Sequence, residues 1–136
     1  MPPERNRADD PAEWMRRAES NLARAKDPRP LPKVLLADLC FDAQQAAEKA
    51  IKGLLTRKRI GFPKTHAIEE LLSLLQVNGV DVPPEVRRAG RLTDYAVESR
   101  YPGLAEDVTA EDRRIAVELA ERVVEWVRTL LALPPV

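Results

Sequence analysis

The chain is poor in the side chains that most enzymes rely on. It has one histidine, His66, and one cysteine, Cys40, among 136 residues. A single cysteine excludes an intramolecular disulfide and a cysteine-based zinc cluster. A free cysteine of this kind ordinarily fills core space. A single histidine leaves one imidazole, the side chain best suited to proton transfer near neutral pH. The serines have no His or Asp arrangement around them, which excludes a hydrolase triad. Glycine is scarce, with five residues, and no Gly-rich phosphate loop or metal-ligand spacing occurs. No metal and no cofactor is expected. The six aromatic residues are Trp14, Phe41, Phe62, Tyr95, Tyr101 and Trp126, so a core must be built from Leu, Val, Ile and Ala. No apolar run approaches the ~20 residues of a membrane-spanning helix. The start is rich in proline and charge and has no apolar leader segment, so the expected location is the cytoplasm.

What is present suits one helical domain over residues 1–136, with 1–8 polar and disordered. Hydrophobic residues make up 44% and charged residues 32%, which places the chain among globular proteins. Charge is polarised along it. Lys and Arg outnumber Asp and Glu up to His66 (14 against 9), and the balance reverses from Ala67 onward (8 against 13). The two halves can neutralise each other within one fold, pair with a second copy, or present a basic patch to an anion.

Asp10-Pro11-Ala12-Glu13 reads as a helix start, with Asp10 as N-cap and Pro11 in the first turn. This helix should run to about Lys26, where Asp27-Pro-Arg-Pro-Leu-Pro32 forces an extended link. A second helix is expected from about Lys33 to Arg57. On it Leu36, Ala43, Ala47, Ala50 and Leu54 form an inner stripe, and Asp38, Asp42, Gln45, Lys49 and Lys52 a polar one. Gly53 within it should cost about 1 kcal/mol against alanine, unless its small size serves close packing. Thr65 should cap a third, shorter helix from His66 to about Val77. A fourth is expected from Pro84 to Ser99, stopped by Tyr101-Pro-Gly103. A last one should follow the Thr109 cap and run to about Leu133. No segment alternates with a period of two. The architecture expected is all-α, an up-and-down bundle of four main helices plus one shorter helix.

Four segments carry a resemblance to a known family. They are Ala12-Glu-Trp-Met-Arg-Arg-Ala-Glu-Ser-Asn-Leu22, Phe41-Asp-Ala-Gln-Gln-Ala-Ala-Glu-Lys-Ala-Ile-Lys52, Lys64-Thr-His-Ala-Ile-Glu-Glu-Leu71 and Tyr95-Ala-Val-Glu-Ser-Arg-Tyr-Pro-Gly103. Together they resemble a small stand-alone prokaryotic HEPN-domain protein. The resemblance implies a helical bundle that pairs as a homodimer. It also implies a partner, a minimal nucleotidyltransferase, in a toxin–antitoxin-like module. For many members it implies a metal-independent ribonuclease built on an Arg followed four to six residues later by His. Here the chain departs from the pattern. After Arg100 comes Tyr-Pro-Gly-Leu-Ala-Glu-Asp-Val, with no histidine, and Arg59 precedes His66 only through a loop containing Gly61 and Pro63.

The candidate groups each admit two readings. Gln45, Lys49 and Lys52 can form a nucleotide or anion site, or a solvated or dimer-facing stripe in which Glu48 pairs with Lys52 at i,i+4. Arg57, Lys58, Arg59 and Lys64 can attract RNA or a nucleotide, or simply favour a helix C-terminus. Arg100 and Tyr101 offer a guanidinium and a phenol to a phosphate or base, or close the fourth helix. The functional expectation is a nucleotide- or partner-binding component of a two-component module. Its alternatives are an endoribonuclease using His66 with Arg59 or Arg100, and a structural dimerisation domain.

Overall fold

The computed structural model describes residues 7–98 and 108–132. The expected disorder at 1–8 falls mostly on residues outside that range; Arg7–Asp9 forms a single 3-10 turn. Six α-helices follow: α1 Pro11–Ala25, α2 Leu36–Arg57, α3 Ile68–Val77, α4 Pro84–Arg87, α5 Asp94–Glu98 and α6 Ala110–Ala132. A 3-10 stretch, Arg88–Thr93, joins α4 to α5, so these three pieces form one composite arm. No strand occurs among the described residues. The architecture is the expected all-α bundle, with α1, α2, the composite arm and α6 as its main members and α3 as the shorter one.

The caps explain where the helices begin. Asp10 accepts a hydrogen bond from the Ala12 amide at 2.9 Å, satisfying a first-turn donor of α1. Thr109 and Asp112 cap α6 reciprocally: the Asp112 amide donates to Thr109 Oγ1 at 3.0 Å, and the Thr109 amide donates to Asp112 Oδ2 at 2.9 Å. Two starts differ from expectation. α2 begins at Leu36 rather than Lys33, because the proline link carries three further residues before Leu35 accepts the first helical bonds. α3 begins at Ile68 rather than His66. Thr65 Oγ1 accepts from Ala67 two residues on, which closes a local turn, and the Ile68 amide is taken instead by Thr93 Oγ1 at 3.1 Å. His66 therefore lies outside the helix. The fourth arm was expected as one helix. Its break coincides with Gly90, which lowers helix propensity and packs directly beneath Glu69. Ser99 and Leu133, the expected ends of the fourth and last helices, lie outside the described residues.

Helix α2 is the axis of the structure. Every residue from Leu39 to Leu55 is buried or half-buried. Its alanines Ala43, Ala46, Ala47 and Ala50 are fully buried, Ala37 half-buried, and they let α1 and α6 approach closely. α1 runs antiparallel to α2, as the pairings of Trp14 with Gly53 and of Asn21 with Asp42 require. Val123, Val124 and Val127 of α6 complete the core with Ile51, Leu54, Leu71 and Leu72. The polarised halves meet through Lys26–Glu121 at 2.7 Å and Arg128–Glu19 at 2.8 Å. Arg113 holds the end of α1 by donating to the carbonyls of Ala25 and Asp27.

Two backbone positions have specific consequences. A Cβ on Gly53 would lie 3.0 Å from Trp14 Cβ and 3.4 Å from the Pro11 carbonyl oxygen. Both neighbours are fixed to the α1 backbone, so α1 itself would have to move. Gly53→Ala is expected to lower stability by about 1 kcal/mol in urea denaturation, the overpacking outweighing the gain in helix propensity. The second position is the end of α2. The Arg59 amide donates to Thr56 and the Ile60 amide to Leu55, with Arg59 at φ 58°. The end of α3 repeats this arrangement with Gly79 at φ 88°. A left-handed residue at this point is usually glycine. Arg59→Gly is expected to raise stability by up to about 1 kcal/mol, measured the same way.

Candidate functional site

Because α2 is enclosed on nearly all sides, its polar residues must find partners inside the protein. They do so in two neighbouring groups. The first centres on Glu48, whose side chain is only 5% exposed. It accepts from Lys52 Nζ at 2.9 Å, from Gln44 Nε2 at 2.9 Å and from His66 Nδ1 at 2.8 Å. Gln45 Nε2 donates to Gln44 Oε1 at 2.7 Å and approaches Glu48 at 3.4 Å. Gln44 also reaches the His66 carbonyl at 3.3 Å. Burial pushes the Glu48 carboxyl upward, but the hydrogen bonds from Gln44, Lys52 and His66 outweigh it and hold its pKa below the ordinary value. An ionised carboxylate can only accept, so His66 Nδ1 carries the hydrogen and Nε2 is the remaining ring nitrogen.

Lys52 is buried as well. Its ammonium lies 5.9 Å from the Trp14 ring centre and 5.8 Å from that of Phe62, and the two rings meet edge to face at 6.3 Å. These distances suit cation–π attraction. Trp14 is anchored in turn by its Nε1, which donates to the Ala8 carbonyl at 2.8 Å.

The second group lies on the α1–α2 seam. Lys49 Nζ donates to Asn21 Oδ1 at 2.8 Å, and Asn21 Nδ2 donates to Asp42 Oδ1 at 2.9 Å. Asp42 also accepts from Arg24, whose Nη2 is 2.5 Å away. Asn21 and Asp42 are both buried.

Past Asp38, which is exposed, the polar stripe of α2 is therefore mostly enclosed. α1 and the segment before α3 cover it. The Glu48–Lys52 pair exists, but as a buried pair. Gln45, Lys49 and Lys52 lie along the same side of α2 in two adjoining networks. Arg59 is on the exposed turn after α2, and Lys58 and Lys64 are exposed as well. Arg100 and Tyr101 lie outside the described residues. Cys40 is fully buried; burial pushes its thiol up to about 11, against a hydrogen bond with Tyr95 that works the other way. Tyr95 is itself pushed up to about 12, chiefly by burial. Neither ionises at neutral pH.

Three features of the site escape a reading of spacing alone. They are the Glu48–His66 bond across 18 residues, the buried pair Asn21 and Asp42, and the meeting of Trp14 with Phe62. The one local signal was the run Gln44, Glu48, Lys52, each four residues from the next.

A helical bundle with an enclosed, ion-paired central helix is the class of protein these observations define. The chain belongs to the HEPN domain family, whose profile matches residues 11–130. It is similar to ST0689, an archaeal HEPN homologue, in its crystal structure. The TM-score is 0.71 and the identity 27%, over 89% of this chain and 97% of that one. Among curated proteins nothing matches the chain.

The depressed pKa of Glu48 sets a pH dependence. Its stabilising contribution is present above the unfolded value of about 4.5 and is lost as pH falls below that and through the lower folded value. Glu48→Gln should destabilise the protein by about 3 kcal/mol at neutral pH, since it leaves Lys52 buried without its counter-charge. It should also flatten the acid limb of a plot of stability against pH, read by urea denaturation from pH 7 to 3.

Proposed function

We propose that this chain is the nucleotide- or partner-binding half of a two-component module, working as a homodimer beside a minimal nucleotidyltransferase. The observation that carries the reading is the basic character of one side of the bundle. Arg16, Arg17 and Arg24 stand on α1 and Lys49 on α2, and the exposed Lys58, Arg59 and Lys64 follow α2; Arg16 and Arg17 share one carboxylate, Glu13, and Arg24 pairs with Asp42. A surface of this sign attracts phosphate-bearing ligands or an acidic protein face. Family membership supports the reading. In it the central-helix network around Glu48 holds the fold, and the charged surface beside it does the binding.

One observation favours a second reading, a metal-independent endoribonuclease. His66 is about half exposed, and its Nδ1 is held by an ionised buried carboxylate. This is how a carboxylate orients an imidazole that acts as a base through Nε2. The first reading is preferred because His66 Nδ1 is taken up by Glu48 and Arg59 stands on the exposed turn after α2.

Purified protein incubated with a mixed-sequence RNA, beside a His66→Ala variant, separates the two. The binding reading expects no cleavage by either. It also expects an increase in Tm with ATP or another nucleotide at millimolar concentration. Cleavage by the wild type that disappears in His66→Ala would replace it with the ribonuclease reading.

A further inference from the structure

Lys49 differs from every other cation inside the bundle. Lys52 is neutralised by Glu48 at 2.9 Å, and Arg24 by Asp42. Lys49, half-buried between α1 and α2, donates instead to the neutral amide of Asn21 at 2.8 Å. The reason lies in how the seam is wired. Asp42 accepts from both Arg24 and the Asn21 amide nitrogen, which turns the Asn21 oxygen toward Lys49 and keeps the carboxylate away from it. Glu48 is saturated by Lys52, Gln44 and His66. Among the described residues, Lys49 thus holds a positive charge in a partly dry position, with an oriented dipole in place of a counter-ion.

Its surroundings add to that charge. Arg17 and Arg24 stand on the facing side of α1, four residues before and three after Asn21, so all three share one helical face. Desolvation lowers the Lys49 pKa most. The fields of Arg17 and Arg24 lower it further, against the opposing fields of Glu48 and Asp42. Arg17 and Arg24 have side chains 56% and 68% exposed, so their guanidinium groups can turn toward an incoming ligand. Arg17 pairs with Glu13 at 2.9 Å, a carboxylate it shares with Arg16. Cations outnumber carboxylates around Lys49, which forms no ion pair among the described residues.

We propose that the α1–α2 seam around Lys49 binds a phosphate oxyanion, with Lys49 as the central charged contact and Arg17 and Arg24 as the flanking ones. This rests on the nucleotide-binding reading above and gives it a place. An ammonium with a neutral partner gains a counter-charge at little cost, and two guanidinium groups at its rim suit the several oxygens of a phosphate group. The Asp42–Asn21 pair is the positioning element, since it fixes which end of the amide meets Lys49. The phosphate can belong to a free nucleotide or to a polynucleotide chain, and the two are separable by experiment.

The test is isothermal titration of the full chain with pyrophosphate, ATP and a short single-stranded oligoribonucleotide. The wild type, Lys49→Gln, Lys49→Arg and Arg17→Gln are compared at one salt concentration. The expected result is that the wild type binds pyrophosphate and ATP, and that Lys49→Gln weakens both at least ten-fold. Arg17→Gln should weaken them several-fold, and Lys49→Arg should retain most of the affinity. If Lys49→Gln fails to fold, by circular dichroism, Arg17→Gln at its exposed position decides. Unchanged affinity in Lys49→Gln and Arg17→Gln overturns this site but leaves the nucleotide-binding reading standing. No heat with any probe at millimolar concentration overturns both. Binding of the oligoribonucleotide alone, weakened by Lys49→Gln, assigns the phosphate to a polynucleotide; the same binding left unchanged by Lys49→Gln overturns the site in favour of an extended RNA surface.

Discussion

The structure depends on how a buried carboxylate is satisfied at its centre. Glu48 sits on the most enclosed helix of the bundle, where an unpartnered charge would be costly. It is stabilised by donors from two separate parts of the chain: Lys52 and Gln44 from its own helix, and His66 from the segment before α3. That arrangement ties α3 to α2 through His66, and its effects reach α1 through Lys52, which lies against Trp14 and Phe62. The network thus joins α1, α2 and the segment before α3. It also explains why His66 stands outside α3.

The close approach of α1 to α2 is the second constraint. Gly53 brings the start of α1 against α2, and the stripe of alanines maintains the contact along the helix. The polar residues facing this seam are paired among themselves. Asn21, Asp42 and Arg24 do this completely. Lys49, coupled only to an amide, is where the pairing stops short of charge neutrality. A fold-stabilising network and a binding-competent cation thus arise from the same close packing.

Much of the architecture was legible in the sequence. The Asp10-Pro11 and Thr109 starts, the proline break after α1 and the apolar faces of α3 and α6 follow local rules, and local rules are written in adjacent residues. Gly53 was recognisable as a cost with a packing reason behind it. The start of α3 is not legible from adjacent residues because Thr65 has two available uses, a helix cap and a local turn. The choice depends on Thr93, which is distant in sequence. The fourth arm differs from one continuous helix around Gly90, where Glu69 of α3 fills the space its missing Cβ leaves, a contact distant in sequence. The site was the least legible part. Helical periodicity correctly grouped Gln45, Lys49 and Lys52 but could not tell a solvated stripe from an enclosed one. That distinction depends on the position of α1. Nor could spacing join His66 to Glu48.

The central claim is that Glu48 and Lys52 act as one buried, mutually dependent unit and not as a surface ion pair. A double-mutant cycle with Glu48→Gln, Lys52→Met and the combined variant, read by urea denaturation at neutral pH, tests it most directly. The account predicts a coupling energy of about 1–3 kcal/mol, with the double variant more stable than the sum of the single losses implies. Losses that add to within about 0.5 kcal/mol would contradict it, since a solvated pair contributes little beyond its separate parts.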